Sequence, residues 1–114
     1  DGTPLNGKLT LGENSADLGG LTMAFLAMEN SMKGKPRPAN IDGFTLEQRF
    51  FLGWAQGWAE VATPQVEATQ AQTDPHAIAR FRVNGPLSNM PEFAAAFSCK
   101  KDNPMVRKDV CMIW

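Results

Sequence analysis

Helical spacing of apolar side chains is the feature that most constrains the fold of this chain. Between residues 21 and 32 such side chains recur at intervals of four, three and four residues: Leu21, Phe25, Met28 and Met32. This spacing predicts a helix from about Glu13 to Lys33, which Gly34 then ends. Met23 and Leu26 lie on its other sides. A helix that is apolar on more than one side needs cover on more than one side, so we expect the chain to belong to something larger.

Two capping patterns predict the next helices. Thr45 and Gln48 have the spacing of a capping box, in which the two residues satisfy each other's free backbone N–H groups at a helix start. We therefore predict a second helix over about Leu46–Ala62. Thr63-Pro64 then supplies an N-cap followed by proline at the first helical position, which starts a third helix ending near Gln72.

The remaining elements are predicted from shorter signals. Asp74-Pro75 repeats the cap-plus-proline pattern and predicts a short fourth helix that carries His76. Asn84–Pro86 is typical of a turn, and Asn89 with Glu92 three residues later predicts a capped last helix. Lys8–Leu11, which lies between two glycines, predicts an extended connector or edge strand. The chain is thus predicted to be mainly α.

Charge and histidine content exclude two classes of function. With 11 basic and 12 acidic residues the net charge is -1, and the chain lacks the basic excess that a nucleic-acid surface requires. The sequence has 1 histidine, whereas hydrolytic zinc sites take three protein ligands of which two or three are commonly His. The chain therefore cannot build a hydrolytic zinc site by itself, and we expect no nucleic-acid partner.

An acidic pair lies on the apolar face of the first predicted helix. Glu13 and Asp17 are one turn apart and point in the same direction as Leu21 and Met28. Carboxylates directed into a core are costly unless a cation meets them, and the candidates are a metal ion, an imidazolium or an arginine. The alternative is that both residues only complement the dipole of the helix start. The glycine pair Gly19-Gly20 predicts close approach of another element, or a helix that starts later.

Longer stretches of the chain carry a resemblance to a known family. They are Asn6–Gly20, Gly43–Thr45, Gln48–Phe51, Ala55–Trp58, Thr73–His76, Phe81–Asn89, Cys99 and Cys111–Trp114. In this order they resemble the segment that follows the His-Glu-x-x-His helix in the neprilysin-like zinc endopeptidases. The resemblance implies that residues 1–114 are the helical C-terminal segment of a zincin-type catalytic domain, with the His-Glu-x-x-His helix upstream and absent from this chain.

The resemblance also implies roles for single residues. Glu13 would be the third zinc ligand, and Asp17 would accept the free N–H of a liganding histidine. His76 would donate a hydrogen bond to the oxyanion that forms when metal-bound water attacks the peptide bond. Arg82 would bind a substrate carbonyl on the primed side, and Trp58 would form a wall of the apolar pocket beyond the cleaved bond. The alternatives are that His76 only caps a helix or faces the solvent, and that Trp58 is a residue of the hydrophobic core.

Other features bear on the source and the thiols. Ala59 stands where the family often has cysteine, and no Asn-x-Ser/Thr site occurs, which favours a bacterial, unglycosylated member. The resemblance implies a location outside the cytoplasm. Cys99 and Cys111 fit a local disulfide, two reduced thiols or two links to partners outside the chain.

Two hypotheses follow for the function. The first is a zinc-dependent metalloendopeptidase that hydrolyses peptides, with Zn²⁺ as cofactor and the rest of its own catalytic domain as partner; the isolated chain is expected to be inactive. The second is a non-catalytic helical binding module, or half of a split protein, with Gly53–Gly57 as its close-packing face. A chain without its upstream partner should also expose an apolar surface, which favours self-association.

Overall fold

The computed structural model describes residues 4–113, so Asp1–Thr3 and Trp114 lie outside the described part. Within that part the chain forms helices and no strand, with only an isolated bridge between Ile41 and Phe44. The helices are α1 (Gly7–Ser31), α2 (Leu46–Gly57), α3 (Pro64–Thr73), α4 (Ala79–Ser88) and α5 (Pro91–Ala96). The mainly α prediction is confirmed.

The first helix starts earlier than predicted. The Asn6 side chain accepts the N–H of Leu9 and caps α1, and the Thr10 hydroxyl, fully buried, donates to the Asn6 carbonyl. Lys8–Leu11 is therefore helical, and the predicted extended piece is wrong because a cap and a buried threonine outweigh the two flanking glycines.

The capping patterns around α2 and α3 are confirmed. Thr45 and Gln48 form the reciprocal capping box, and the Thr63 side chain accepts the N–H of Val66 with proline at the helix start. The second helix nevertheless ends at Gly57 instead of Ala62. The N–H groups of Trp58 and Ala59 bond three residues back, to Ala55 and Gln56, which tightens the last turn and closes the helix.

The fourth helix differs most from its prediction. It begins at Ala79, because the Asp74 carboxylate accepts the N–H of His76 and holds residues 74–76 in a local turn before the helix. The predicted turn at Asn84–Pro86 is wrong, since Pro86 lies buried inside α4. Asn89 was predicted to cap α5 and instead ends α4.

Asn89 instead binds the C-terminal segment of the chain. Its buried side-chain amide donates to the carbonyl of Cys111 at 2.6 Å and accepts the N–H of Cys111 at 2.9 Å. This pair of bonds holds the C-terminal segment against the end of α4. Cys99 and Cys111 are both free thiols in the structure.

The core joins α1, α2 and α4. Its buried members are Leu21, Phe25, Phe51, Leu87 and Met90. Phe25 stacks on Phe51 with ring centres 5.2 Å apart, and the Phe93 ring meets Phe51 edge-on at 5.5 Å. Because α4 packs along α1 while α2 packs against α4 and α5, the first half of α1, the end of α2 and the start of α4 meet at one place.

The far side of α1 is apolar and uncovered within the described part. Met23 and Leu26 are 54% and 52% exposed. A Cβ built at Gly20 meets no neighbouring atom within 4 Å, so the close approach predicted at this glycine does not occur within residues 4–113. Among these residues no helix is long and apolar enough to cross a membrane.

Candidate functional site

The structure brings the predicted site residues into one cluster. Glu13 and Asp17 come from α1, Trp58 from the end of α2, His76 from the turn before α4, and Arg82 from the first turns of α4. The cluster lies where these elements meet, so that Asp17 and Arg82, which are 65 positions apart in the chain, are hydrogen-bonded to each other.

Asp17 and Arg82 form the buried base of the cluster. The guanidinium Nε and Nη2 donate to the two carboxylate oxygens, each at 2.7 Å. The two side chains are 8% and 11% exposed. The hydrogen bonds to Asp17 raise the pKa of Arg82 above its ordinary value, against the opposing effect of burial. Of the cations that the sequence allowed for this inward carboxylate, the structure supplies an arginine.

Arg82 is also held by aromatic rings. The centre of its guanidinium lies 3.9 Å from the centre of the Trp58 ring, a cation–π contact. Trp58 in turn meets Trp54 edge-on at 5.7 Å. The Trp54 indole N–H donates to the backbone carbonyl of Arg82 at 3.1 Å. Trp54 belongs to the Gly53–Gly57 stretch that was expected only as a close-packing face; the sequence signal for this hydrogen bond is Pro86, four residues after Arg82, which leaves that carbonyl without its helical donor.

Glu13 lies at the open rim of the cluster. Its side chain is 43% exposed, and one carboxylate oxygen lies 3.4 Å from His76 Nε2 and 3.8 Å from Arg82 Nη2. The two acidic residues of the pair thus have different environments: Asp17 is buried and paired with Arg82, whereas Glu13 keeps an exposed carboxylate beside two cationic or hydrogen-bonding groups.

Asp74 orients the ring of His76. The same Asp74 oxygen accepts the backbone N–H and lies 2.8 Å from ring Nδ1. The backbone hydrogen bond and then the ring contact lower the pKa of Asp74. The contribution of these bonds is therefore present at neutral pH and lost only in acid, as the pH falls through the lowered folded-state pKa. With Nδ1 held by Asp74, Nε2 points toward Glu13.

The donor set fits part of a zinc site. Zinc in a catalytic site takes three protein ligands, chosen from His nitrogen, Cys sulfur and carboxylate oxygen. Residues 4–113 contain no group of three such side chains placed to share one ion. Glu13 offers a half-exposed carboxylate, which an ion held by ligands from outside the chain can reach. The described residues therefore fit one of the three protein ligands of a catalytic zinc site.

We expect the Asp17–Arg82 pair to be essential for stability. Asp17→Ala should lower the free energy of unfolding by about 3 kcal/mol, because it leaves a buried guanidinium without its partner. Urea denaturation measures this. Glu67→Ala, which breaks the exposed pair of Glu67 with Arg80, is the matched control and should cost less than about 1 kcal/mol. Equal losses in the two variants would contradict the expectation.

Comparison with known proteins identifies the family of the chain. The model of peptidase family M13 matches residues 1–113. The chain is 45% identical over 116 residues to endothelin-converting enzyme 1 of Cavia porcellus, which covers 100% of this chain and 15% of that protein. It is 41% identical over 114 residues to neprilysin-1 of Caenorhabditis elegans, covering 96% of this chain and 15% of that protein.

A solved structure has the same fold. The zinc metalloprotease ZMP1 of Mycobacterium tuberculosis, in its open state, superposes with a TM-score of 0.87 and 38% identity, over 95% of this chain and 17% of that one. The chain thus spans only about 15% of the length of the curated relatives. The family model covers nearly all of it, which confirms the resemblance noted in the sequence: the chain belongs to peptidase family M13.

Proposed function

We propose that this chain supplies one half of the catalytic site of a zinc-dependent metalloendopeptidase. The observation that carries the proposal is the cluster itself: a rim carboxylate, Glu13, beside a histidine and an arginine whose orientations are set by Asp74 and Asp17. The ligands that Glu13 would need to complete a site are two histidines from the upstream part of the same catalytic domain.

In this proposal Glu13 is the third ligand of Zn²⁺. When bound, the metal polarises the substrate carbonyl and lowers the pKa of water. Asp17 keeps lone pairs beyond the two bonds it accepts from Arg82, so it can still accept the N–H of a liganding histidine and orient that ring.

His76 and Arg82 act on the substrate. Asp74 holds Nδ1 of His76, which leaves Nε2 to act as the donor to the oxygen on which negative charge develops. Asp17 takes the Nε and one Nη2 hydrogen of Arg82, which leaves Nη1 to donate to a peptide carbonyl. One face of the Trp58 ring contacts the Arg82 guanidinium, and the remaining surface of the ring forms a wall of the apolar pocket.

The partners in this proposal are peptide substrates and the rest of the catalytic domain. The apolar far side of α1, with Met23 and Leu26 exposed, supports a missing neighbour and explains why the chain alone should self-associate. A location outside the cytoplasm, in a bacterium, is supported by the family membership together with Ala59 at a position where relatives often have cysteine.

The 114-residue chain by itself should bind Zn²⁺ only weakly and cleave no peptide, since it supplies one ligand of the three that the site requires. Isothermal titration with zinc and a quenched fluorescent peptide measure both properties. A stoichiometric tight zinc site in the purified chain would contradict this expectation.

The proposed function is tested in the full-length protein. It should cleave the quenched peptide, lose this activity on treatment with a chelator and regain it when zinc is added back. Absence of cleavage under all three conditions would favour the alternative, a non-catalytic helical module.

A further inference from the structure

We propose that Trp54 is a positioning residue that holds Arg82 in place for substrate binding. The proposal rests on the proposed function, in which Arg82 donates to a substrate carbonyl. It concerns one hydrogen bond, from the Trp54 indole N–H to the backbone carbonyl of Arg82, across 28 residues of sequence.

The backbone carbonyl of Arg82 has lost its ordinary helical partner. In an α-helix the carbonyl of residue 82 accepts the N–H of residue 86, and residue 86 is a proline inside α4. Proline has no N–H, and its ring pushes against the carbonyl four residues back. Pro86 and its neighbour Leu87 are buried, so the freed carbonyl lies in a helix that packs into the core. A partly buried carbonyl without a hydrogen-bond partner is costly, and the indole N–H at 3.1 Å satisfies this one.

The same tryptophan also supports the side-chain end of Arg82. Trp54 meets Trp58 edge-on, and Trp58 carries the guanidinium on its face at 3.9 Å. Both rings lie one turn apart at the end of α2. The end of α2 therefore holds the main chain of Arg82 through Trp54 and its side chain through Trp58. Asp17 on α1 fixes the direction of the Arg82 guanidinium.

The consequence is a defined position for the Arg82 hydrogens that remain for substrate. A side chain that binds a peptide carbonyl acts through its geometry, and small displacements weaken binding strongly. Pro86 removes one backbone hydrogen bond from α4, the one that the Arg82 carbonyl would accept, and the Trp54 indole N–H supplies a bond in its place from a neighbouring helix.

The test is Trp54→Phe in the full-length peptidase, which keeps an aromatic ring and removes the N–H. We expect KM for a peptide substrate to rise about three- to tenfold, the effect of one lost hydrogen bond, with kcat changed less than about twofold. The same substitution is then made in a Pro86→Ala background. There the alanine N–H can bond to the Arg82 carbonyl, so Trp54→Phe should change KM by less than about twofold.

This rescue separates positioning from packing. If Trp54→Phe raised KM equally in both backgrounds, or left KM unchanged in the natural sequence, the proposal would be overturned. Thermal unfolding of each variant shows whether the protein is folded. If Trp54→Phe lowers the stability, KM is still compared between Trp54→Phe and its parent in the Pro86→Ala background.

Arg82→Lys tests the proposed function separately. If Arg82→Lys left KM unchanged while Trp54→Phe raised KM, Arg82 would have no role in substrate binding, and the positioning role of Trp54 would fail with it. If KM rose only in Arg82→Lys, only the positioning role of Trp54 would be overturned.

Discussion

Glu13→Ala should remove tight zinc binding from the full-length peptidase and leave the protein folded. We expect the zinc affinity to fall by more than about 100-fold, since loss of a group that merely orients a ligand already costs about 10- to 100-fold. The fold should persist because Glu13 is half-exposed and makes only contacts of 3.4 Å and 3.8 Å, to His76 and Arg82. Zinc content after dialysis against a buffered metal, with thermal unfolding of the apo forms, measures both effects.

The control for this variant is Glu67→Ala, which removes another exposed glutamate in an ion pair, on α3. It should keep zinc and activity at the natural level. If Glu13→Ala retained stoichiometric tight zinc, Glu13 would not be a zinc ligand and the proposed catalytic site would be wrong.

His76→Ala should separate catalysis from metal binding. The variant should keep zinc at the natural affinity and lose kcat by about 100- to 1000-fold, the usual effect of removing one hydrogen-bond donor to an oxyanion. The structure supports this separation because the His76 ring is fixed by Asp74, through Nδ1, and lies beside Glu13 instead of replacing it. Steady-state cleavage of a peptide together with metal analysis gives both numbers.

Arg80→Ala provides the neighbouring control for His76. Arg80 is also a basic residue near the start of α4, but it pairs with Glu67 and stacks near Phe81, away from the cluster. Its kcat should stay within about twofold of the natural value. If His76→Ala kept full turnover, or lost zinc along with its rate, the assignment of His76 as an oxyanion donor would be wrong.

Most of the helices could be predicted from the sequence because their start signals are local. Thr45 with Gln48 and Thr63 with Pro64 act within one turn of backbone, and both caps occur in the structure. Predictions failed where a side chain that looked like a local cap has another partner. Asn89 binds the backbone of Cys111, 22 residues away, and Asp74 binds His76 in a turn before α4 starts.

The members of the candidate site were also predictable, but their contacts were not. The acidic spacing of Glu13 and Asp17 and the resemblance to the neprilysin-like peptidases named the residues. Spacing indicated that both carboxylates need a cation without indicating which one each would meet. The structure gives Asp17 a buried arginine and leaves Glu13 at the rim.

The sequence by itself determined the helical class and the main caps, since these depend on interactions within a few positions of the chain. The residues of the cluster were named by the resemblance that the same sequence carries. Only the tertiary structure decided that Arg82 lies between Asp17 of α1 and the two tryptophans of α2. The physical reason is that such contacts depend on how α4 packs against two other helices. Pro86 adds to this dependence on packing, because it removes from α4 the backbone donor that would have satisfied the Arg82 carbonyl locally.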